Sequence, residues 1–192
     1  MVENEPLRER LVTVGVDLLE EVGAAQLGLR AITRAAGVSH GAPRRHFPTH
    51  RALLAAIAAR GFDALVDRFA LATASAASPR DRLHRMAIEY VDFAAARPEM
   101  FTLMFRHDLL EGSGENLRAT TLPIYRGFVA LVGDVAPDRP LSDPQLSDPR
   151  ALALWTNLHG IATLQANRSL ALIVTDVAPH ALVAQVLELH LA

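Results

Sequence analysis

The sequence predicts an all-α protein of about nine helices. Three observations carry that expectation. Apolar residues recur at three- and four-residue intervals through most of the 192 residues, the spacing that gathers them on one face of a helix. No stretch alternates apolar and polar residues between hairpin turns, as a half-buried strand would. Start signals such as Ser78-Pro79 and Asp148-Pro149 stand where helical patterns begin, because proline suits the first helical position and Ser or Asp caps the free N–H groups.

Taken in order, residues 1–4 form a tail. From Glu5 to Val22, Leu7, Leu11, Val14, Leu18, Leu19 and Val22 fall at helical spacing, and Gly23 ends the run. Two short helices follow, over 29–36 and 39–46, joined by a tight turn at Gly37-Val38, with Ser39 as the cap of the second. Phe47-Pro48 is the exit. A long helix over about 50–74 carries Leu53, Leu54, Ile57, Gly61, Leu65 and Phe69. Ser78-Pro79 opens a helix to about 96, which Arg97-Pro98 breaks to open another over about 99–107. Residues 111–116 (EGSGEN) lead to a helix over 117–135, with Pro123 as its kink or its start. Residues 133–150 hold four prolines and a duplicated Leu-Ser-Asp-Pro, the composition of an irregular surface loop. The last helices span about 149–173 and 178–191. Leu152, Leu154, Trp155, Leu158, Ile161 and Leu164, then Leu182, Val183, Val186, Leu187 and Leu189, make both apolar on more than one side. Such a helix needs burial all round, and a second copy of the chain is the expected partner.

Composition narrows the function. The absence of cysteine rules out disulfides, thiolate metal sites and cysteine nucleophiles. No apolar run is long enough for a membrane helix, and the first ten residues carry both charge signs without an apolar signal region; a cytoplasmic location is expected. Histidines are too scattered for metal spacing. His107 and Asp108, adjacent in sequence, fall on different helix faces, and no nucleophile elbow or glycine-rich phosphate loop is present. No catalytic residue, metal or cofactor is expected.

Charge points instead to a polyanion. Between Val22 and Phe62 there is no Asp or Glu, but there are arginines at 30, 34, 44, 45, 51 and 60 and histidines at 40, 46 and 50. Two short helices around a glycine turn make a helix-turn-helix, whose second helix can enter the DNA major groove. Leu29, Ile32, Ala36 and Val38 can bury one side, leaving the arginines for phosphates. A helix pair of this kind can also be purely structural, but a solvated structural pair usually mixes both charge signs. The expected DNA-binding residues are Thr33 and Arg34 beside a phosphate, Ser39, His40 and Gly41 at the helix start, Arg44 and Arg45 toward phosphate or guanine, with His46 and His50 alongside. Phe47 is expected in the core.

The run Ala31 to Ala42 (AITRAAGVSHGA), followed by Arg45-His46-Phe47-Pro48 and Ala52-Leu53-Leu54, closely resembles the N-terminal domain of tetracycline-repressor-type (TetR family) transcriptional regulators over residues 7–55. Weaker similarity continues through 96–105, and Trp155, His159 and Gly160 resemble the signature of one C-terminal subgroup. The resemblance implies an all-α homodimer, a three-helix DNA-binding head whose third helix reads the major groove, and a C-terminal domain that binds a small effector. Two departures stand out. Pro43-Arg44 occupies the place of the family's Leu-Tyr, and proline inside a helix removes a donor and disfavours helical geometry before it. His50 stands where the family has Lys.

A second constellation comprises Met86, Tyr90, Phe93, Phe101, Met104, Phe105, Phe128, Trp155 and His159. At helical spacing such residues usually form ordinary core, and a lone His159 usually has a buried hydrogen-bond partner. As a soft, aromatic wall with a few polar tips, the same set would suit an apolar effector.

The sequence is therefore read as a head over 1–49 that binds double-stranded DNA, and an effector-binding and dimerisation domain over 50–192. The expected function is a regulator, usually a repressor, released from a palindromic operator by a small, mostly apolar effector. Pro43, Arg44 and His50 motivate a rival: a small-molecule-binding helical dimer that has lost tight DNA binding. A helical enzyme is a third reading, without a motif to support it.

Overall fold

The structure, a computed structural model, describes residues 6–39, 43–136, 148–174 and 178–191. Every regular element among them is helical: nine α-helices and two short 3-10 turns. No helix among them is long and apolar enough to cross a membrane. Contacts gather the chain into two compact units. One holds the chain up to Phe62 together with Arg97–Leu117; the other holds Asp63–Ala96 and the chain from Arg118 onward.

The first unit begins with α1 (Leu7–Val22), which buries Leu11, Val12 and Leu19. Next come α2 (Leu29–Ala35), a 3-10 turn at Pro43–Arg45 and the start of α3 (His50–Thr73). Ile32, Phe47, Leu53 and Ile57 are fully or almost fully buried, and each such side chain stabilises by about 1.5–3 kcal/mol relative to exposure. Gly37 ends α2 in the left-handed conformation at φ 65°. Val38 N–H donates to the Thr33 carbonyl (3.0 Å) and Gly37 N–H to that of Arg34 (3.2 Å), the paired bonds that satisfy the last carbonyls of a helix closed by glycine. The Thr49 hydroxyl accepts from Ala52 N–H (3.1 Å) and caps α3.

Of the helix expected over 39–46, the described part is a 3-10 turn at Pro43–Arg45. In that turn the Pro43 carbonyl accepts the N–H groups of His46 (2.9 Å) and Phe47 (2.8 Å). Residues 40–42 lie outside the described residues. A proline without N–H, with fixed φ, is suited to open a turn rather than continue one.

The first unit also holds α5 (Pro98–Met104) and α6 (His107–Leu110), which replace the single helix expected over 99–107. Arg106 separates them: its guanidinium bonds Asp108 at 2.8 Å through both Nε and Nη2. α5 buries Met100, Phe101, Leu103 and Met104 and meets α3 at Gly61, where a Cβ would stand 2.6 Å and 2.7 Å from the sulfurs of Met100 and Met104. Only glycine permits this approach without moving both methionines.

The second unit contains the rest of α3, α4 (Pro79–Ala96), α7 (Arg118–Val135), α8 (Pro149–Ala166), a 3-10 turn at Ser169–Leu172, and α9 (Pro179–Leu191). α8 packs on α4, α7 and α9, and α4 also on α7 and α9. Both expected proline starts are capped. The Ser78 hydroxyl accepts from Asp81 N–H (3.1 Å) while Asp81 accepts from Ala77 N–H (2.9 Å), a variant of the capping box in which the carboxylate reaches the residue before the cap. Asp148, buried, accepts from Ala151 N–H (2.9 Å). Pro123 lies inside α7 rather than at its start. The helix expected over 149–173 stops at Ala166; Arg168 then adopts a left-handed φ of 58° and the 3-10 turn follows.

Candidate nucleic-acid interface and effector cleft

The candidate DNA-binding residues divide by burial. Arg34, Ser39, Arg44, Arg45, His46 and His50 are exposed. Thr33 is not: it is 1% exposed and its hydroxyl donates to the Arg30 carbonyl (3.0 Å), which makes it a support of α2 rather than a surface group. Phe47 is core, 1% exposed, with the Arg8 guanidinium 5.3 Å above its ring. His40 and Gly41 lie outside the described residues.

Electrostatically, two groups of arginines in this unit stand apart. Arg8, Arg60, Arg97 and Arg106 are neutralised by Glu115, Glu9, Glu20 and Asp108 respectively. Arg30, Arg34, Arg44 and Arg45 have no acid within ion-pair distance among the described residues. The unpaired set flanks the α2 turn and the Pro43–Arg45 turn, the two pieces of the helix-turn-helix. Uncompensated guanidiniums on one motif form a positive field suited to phosphates.

His50 is tied down. Its Nε2–H donates to the Leu27 carbonyl at 2.6 Å, so the ring pins the start of α3 to the α1–α2 connection. This bond uses the proton a neutral imidazole would offer a phosphate.

The aromatic and methionine set falls into two groups. Phe101, Met104 and Phe105 belong to the first unit: Phe105 meets Phe62 edge-on at 5.8 Å and Phe101 at 5.0 Å. Met86, Tyr90, Phe93, Phe128, Trp155 and His159 belong to the second. There Tyr90 O–H donates to His159 Nδ1 (2.8 Å). The Trp155 indole also hydrogen-bonds the Tyr90 hydroxyl and its ring stacks on His159 at 5.2 Å. Burial pushes the Tyr90 hydroxyl well above the ordinary phenol range and His159 below the ordinary histidine value. Both penalties favour the neutral forms, which the chain from indole N–H to phenol to imidazole nitrogen requires.

A cleft of about 820 Å³ opens in the second unit between α3, α4 and α7, within the size range of small-molecule sites. Met86 is the one member of the aromatic and methionine set that lines it. Val66, Phe69, Ile124 and Leu131 supply further apolar wall, and Asp63, Asp67, Arg82 and Asp134 supply charge. These lining residues were not singled out in the sequence. Asp63 and Asp67, one helical turn apart on a single face, were the available signal. Pro123 also lines the cleft; it lacks the N–H that would bond the Ala119 carbonyl one turn earlier.

A helix-turn-helix with an unpaired basic face, followed by a helical unit holding a small-molecule-sized cleft, defines a ligand-responsive DNA-binding regulator. Family models agree. The model for bacterial regulatory proteins of the tetR family matches residues 11–57, and that for the tetracyclin repressor-like C-terminal domain matches residues 83–189. The chain belongs to the TetR family of transcriptional regulators, DNA-binding proteins with a ligand-binding C-terminal domain rather than enzymes. No curated protein matches it in sequence. Among solved structures, it is similar to a protein of unknown function from Rhodococcus sp. RHA1, with 28% identity and a TM-score of 0.79 over 98% of this chain and 95% of that one. The fatty acid degradation regulator FadR from Bacillus halodurans shares the fold at 16% identity and a TM-score of 0.71, over 99% and 97% of the two chains. A TetR-like transcriptional regulator from the same Rhodococcus strain does so at 17% identity and 0.69, over 97% and 95%.

Proposed function

We propose that the chain is a cytoplasmic, homodimeric repressor that leaves a palindromic operator when a small, mostly apolar effector occupies the cleft between α3, α4 and α7. The observation that carries the reading is that Arg30, Arg34, Arg44 and Arg45, all on the helix-turn-helix, have no acid within ion-pair distance among the described residues. Arg34, Arg44 and Arg45 hold phosphates or guanine edges, and Ser39, His40, Gly41 and His46 complete the contact from the turn; Thr33 supports it from beneath. Functionally the division remains 1–49 for DNA and 50–192 for effector and dimer.

The dimer forms through α8 and α9, where Leu152 and Leu189 are large exposed apolar side chains. Paired heads then meet half-sites about one DNA turn apart. α3 begins in the DNA-binding unit and its last turns line the cleft, so effector binding is felt by a helix shared with the head. Moving the population from mostly bound to mostly free needs an affinity difference between the two states of roughly 3–5 kcal/mol.

The second reading, a sensor dimer without tight DNA binding, is favoured by the 3-10 rather than α-helical turn at Pro43–Arg45 and by the His50 bond to Leu27. Selection from random duplex DNA with the purified protein separates the two. Enrichment of an inverted repeat is the expected result. Recovery of no sequence, with a dimer that is intact by light scattering, supports the sensor instead.

A further inference from the structure

In the second unit most of the described acids are engaged, and the exceptions cluster. Asp81 pairs with Arg85, Glu89 with Arg68, Asp92 with His180 and Glu188 with Arg80, while Asp148 caps α8. The remaining described acids of that unit are Asp63, Asp67 and Asp134. None has a basic partner within ion-pair distance among the described residues, and all three line the cleft. Asp63 and Asp67 stand one turn apart on α3, and Asp134 ends α7, where the helix carbonyls add further negative potential. Arg82 is the one cation among the described lining residues, so their three carboxylates and one guanidinium leave an excess of two negative charges.

The rest of the wall is apolar: Val66, Phe69, Met86, Ile124 and Leu131. A metal ion does not fit this arrangement, since no three acidic or histidine side chains among the described residues are grouped to hold one. The three carboxylates are solvent-exposed and rim an apolar trough, and a cleft whose rim carries an excess of one sign raises the local concentration of the opposite charge. We infer that the cleft selects amphipathic organic cations, bulky apolar bodies with a delocalised or shielded positive charge, over neutral or anionic molecules of the same shape. Methionine and phenylalanine walls suit such a body, through soft dispersion contact and the negative face of the ring. This inference rests on the cleft being the effector site.

Two ions of one shape and opposite charge test it. Tetraphenylphosphonium and tetraphenylborate are titrated into the full-length protein without DNA, by calorimetry. The cation is expected to bind and the anion to bind at least tenfold more weakly or not at all. Asp63→Asn with Asp67→Asn should weaken the cation about tenfold, two partly solvated pairs of ordinary strength being lost. Asp134→Asn, on another helix, should weaken it independently, and Arg82→Gln should strengthen it. Opposite signs from acidic and basic substitutions are a signature that general damage to the fold does not produce. Equal binding of the two ions, tighter binding of the anion, no binding of either, or indifference to all three changes overturns the inference. Release from a selected operator is measured separately. A cation that binds the free protein yet leaves DNA binding unchanged disproves the effector role and keeps the cleft's charge preference.

Discussion

Glu20 of α1 caps Met100 of α5 from eighty positions away: its carboxylate accepts the Met100 N–H at 3.0 Å. The same carboxylate accepts Glu99 N–H and Arg97 Nε, each at 3.2 Å. A short helix opened by Pro98 has free N–H groups in its first turn, and a residue of α1 supplies the acceptor that no neighbour in sequence provides. The bond joins α1 of the helix-turn-helix unit to the segment that connects α4 with α7.

Removing that cap should be costly for an exposed-looking acid. Glu20→Ala leaves two N–H groups and Arg97 without their acceptor, a loss of about 1–2 kcal/mol. The melting temperature should fall by roughly 3–6 °C for a chain of this size. Glu20→Gln keeps an acceptor oxygen and should lose less. An unchanged melting temperature for Glu20→Ala would show that water replaces the carboxylate without cost.

The Tyr90–His159 pair makes stability depend on pH. His159 has its folded value lowered by burial from the ordinary 6.5, so between the two values the unfolded chain binds more protons. Its contribution is complete above pH 6.5 and is lost as pH falls through the lowered folded value. Urea unfolding of the protein and of His159→Gln, compared across pH, should show the histidine's advantage shrinking toward acid. An advantage that is constant or grows toward acid would mean that His159 is charged in the fold. Tyr90→Phe should cost about 1–2 kcal/mol, since it strands two half-buried polar partners.

At the proposed dimer face, Leu187 and Leu189 have opposite roles. Leu187 is 5% exposed and Leu189 80% exposed in the single chain. Leu189→Glu should therefore leave the protomer's stability within about 0.5 kcal/mol and yield monomers by light scattering. Leu187→Glu should unfold the protomer instead. A Leu189→Glu protein that stays dimeric places the interface on another surface.

Legibility from sequence followed the range of the interaction. Ser78-Pro79 and Asp148-Pro149 were readable as helix starts because caps act within four residues, and the structure forms both. Gly37 was readable as a turn for the same reason. The break between α5 and α6 was not, because Arg106 closing on Asp108 is one of many local options for an arginine. Phe101, Met104 and Phe105 had the same periodicity as Met86 and Tyr90, yet the two groups sit in different units. Periodicity tells that a face is buried and is silent about what buries it. The cleft's carboxylates carry only a weak signal for the complementary reason: Asp63 and Asp67, one helical turn apart, have the spacing of any pair of solvated helical acids, and what sets them apart is the apolar cleft they line.

The most direct test of DNA binding through the arginine face is the salt dependence of affinity for a selected operator, by fluorescence anisotropy. Arg44→Ala with Arg45→Ala removes two side chains that have no partner among the described residues, so the fold should be unaffected. Affinity should fall on every duplex, and the slope of log affinity against log salt should flatten by about 1.8 for each bound head, two phosphate contacts being lost. An unchanged affinity and slope would contradict the assignment of this face to DNA.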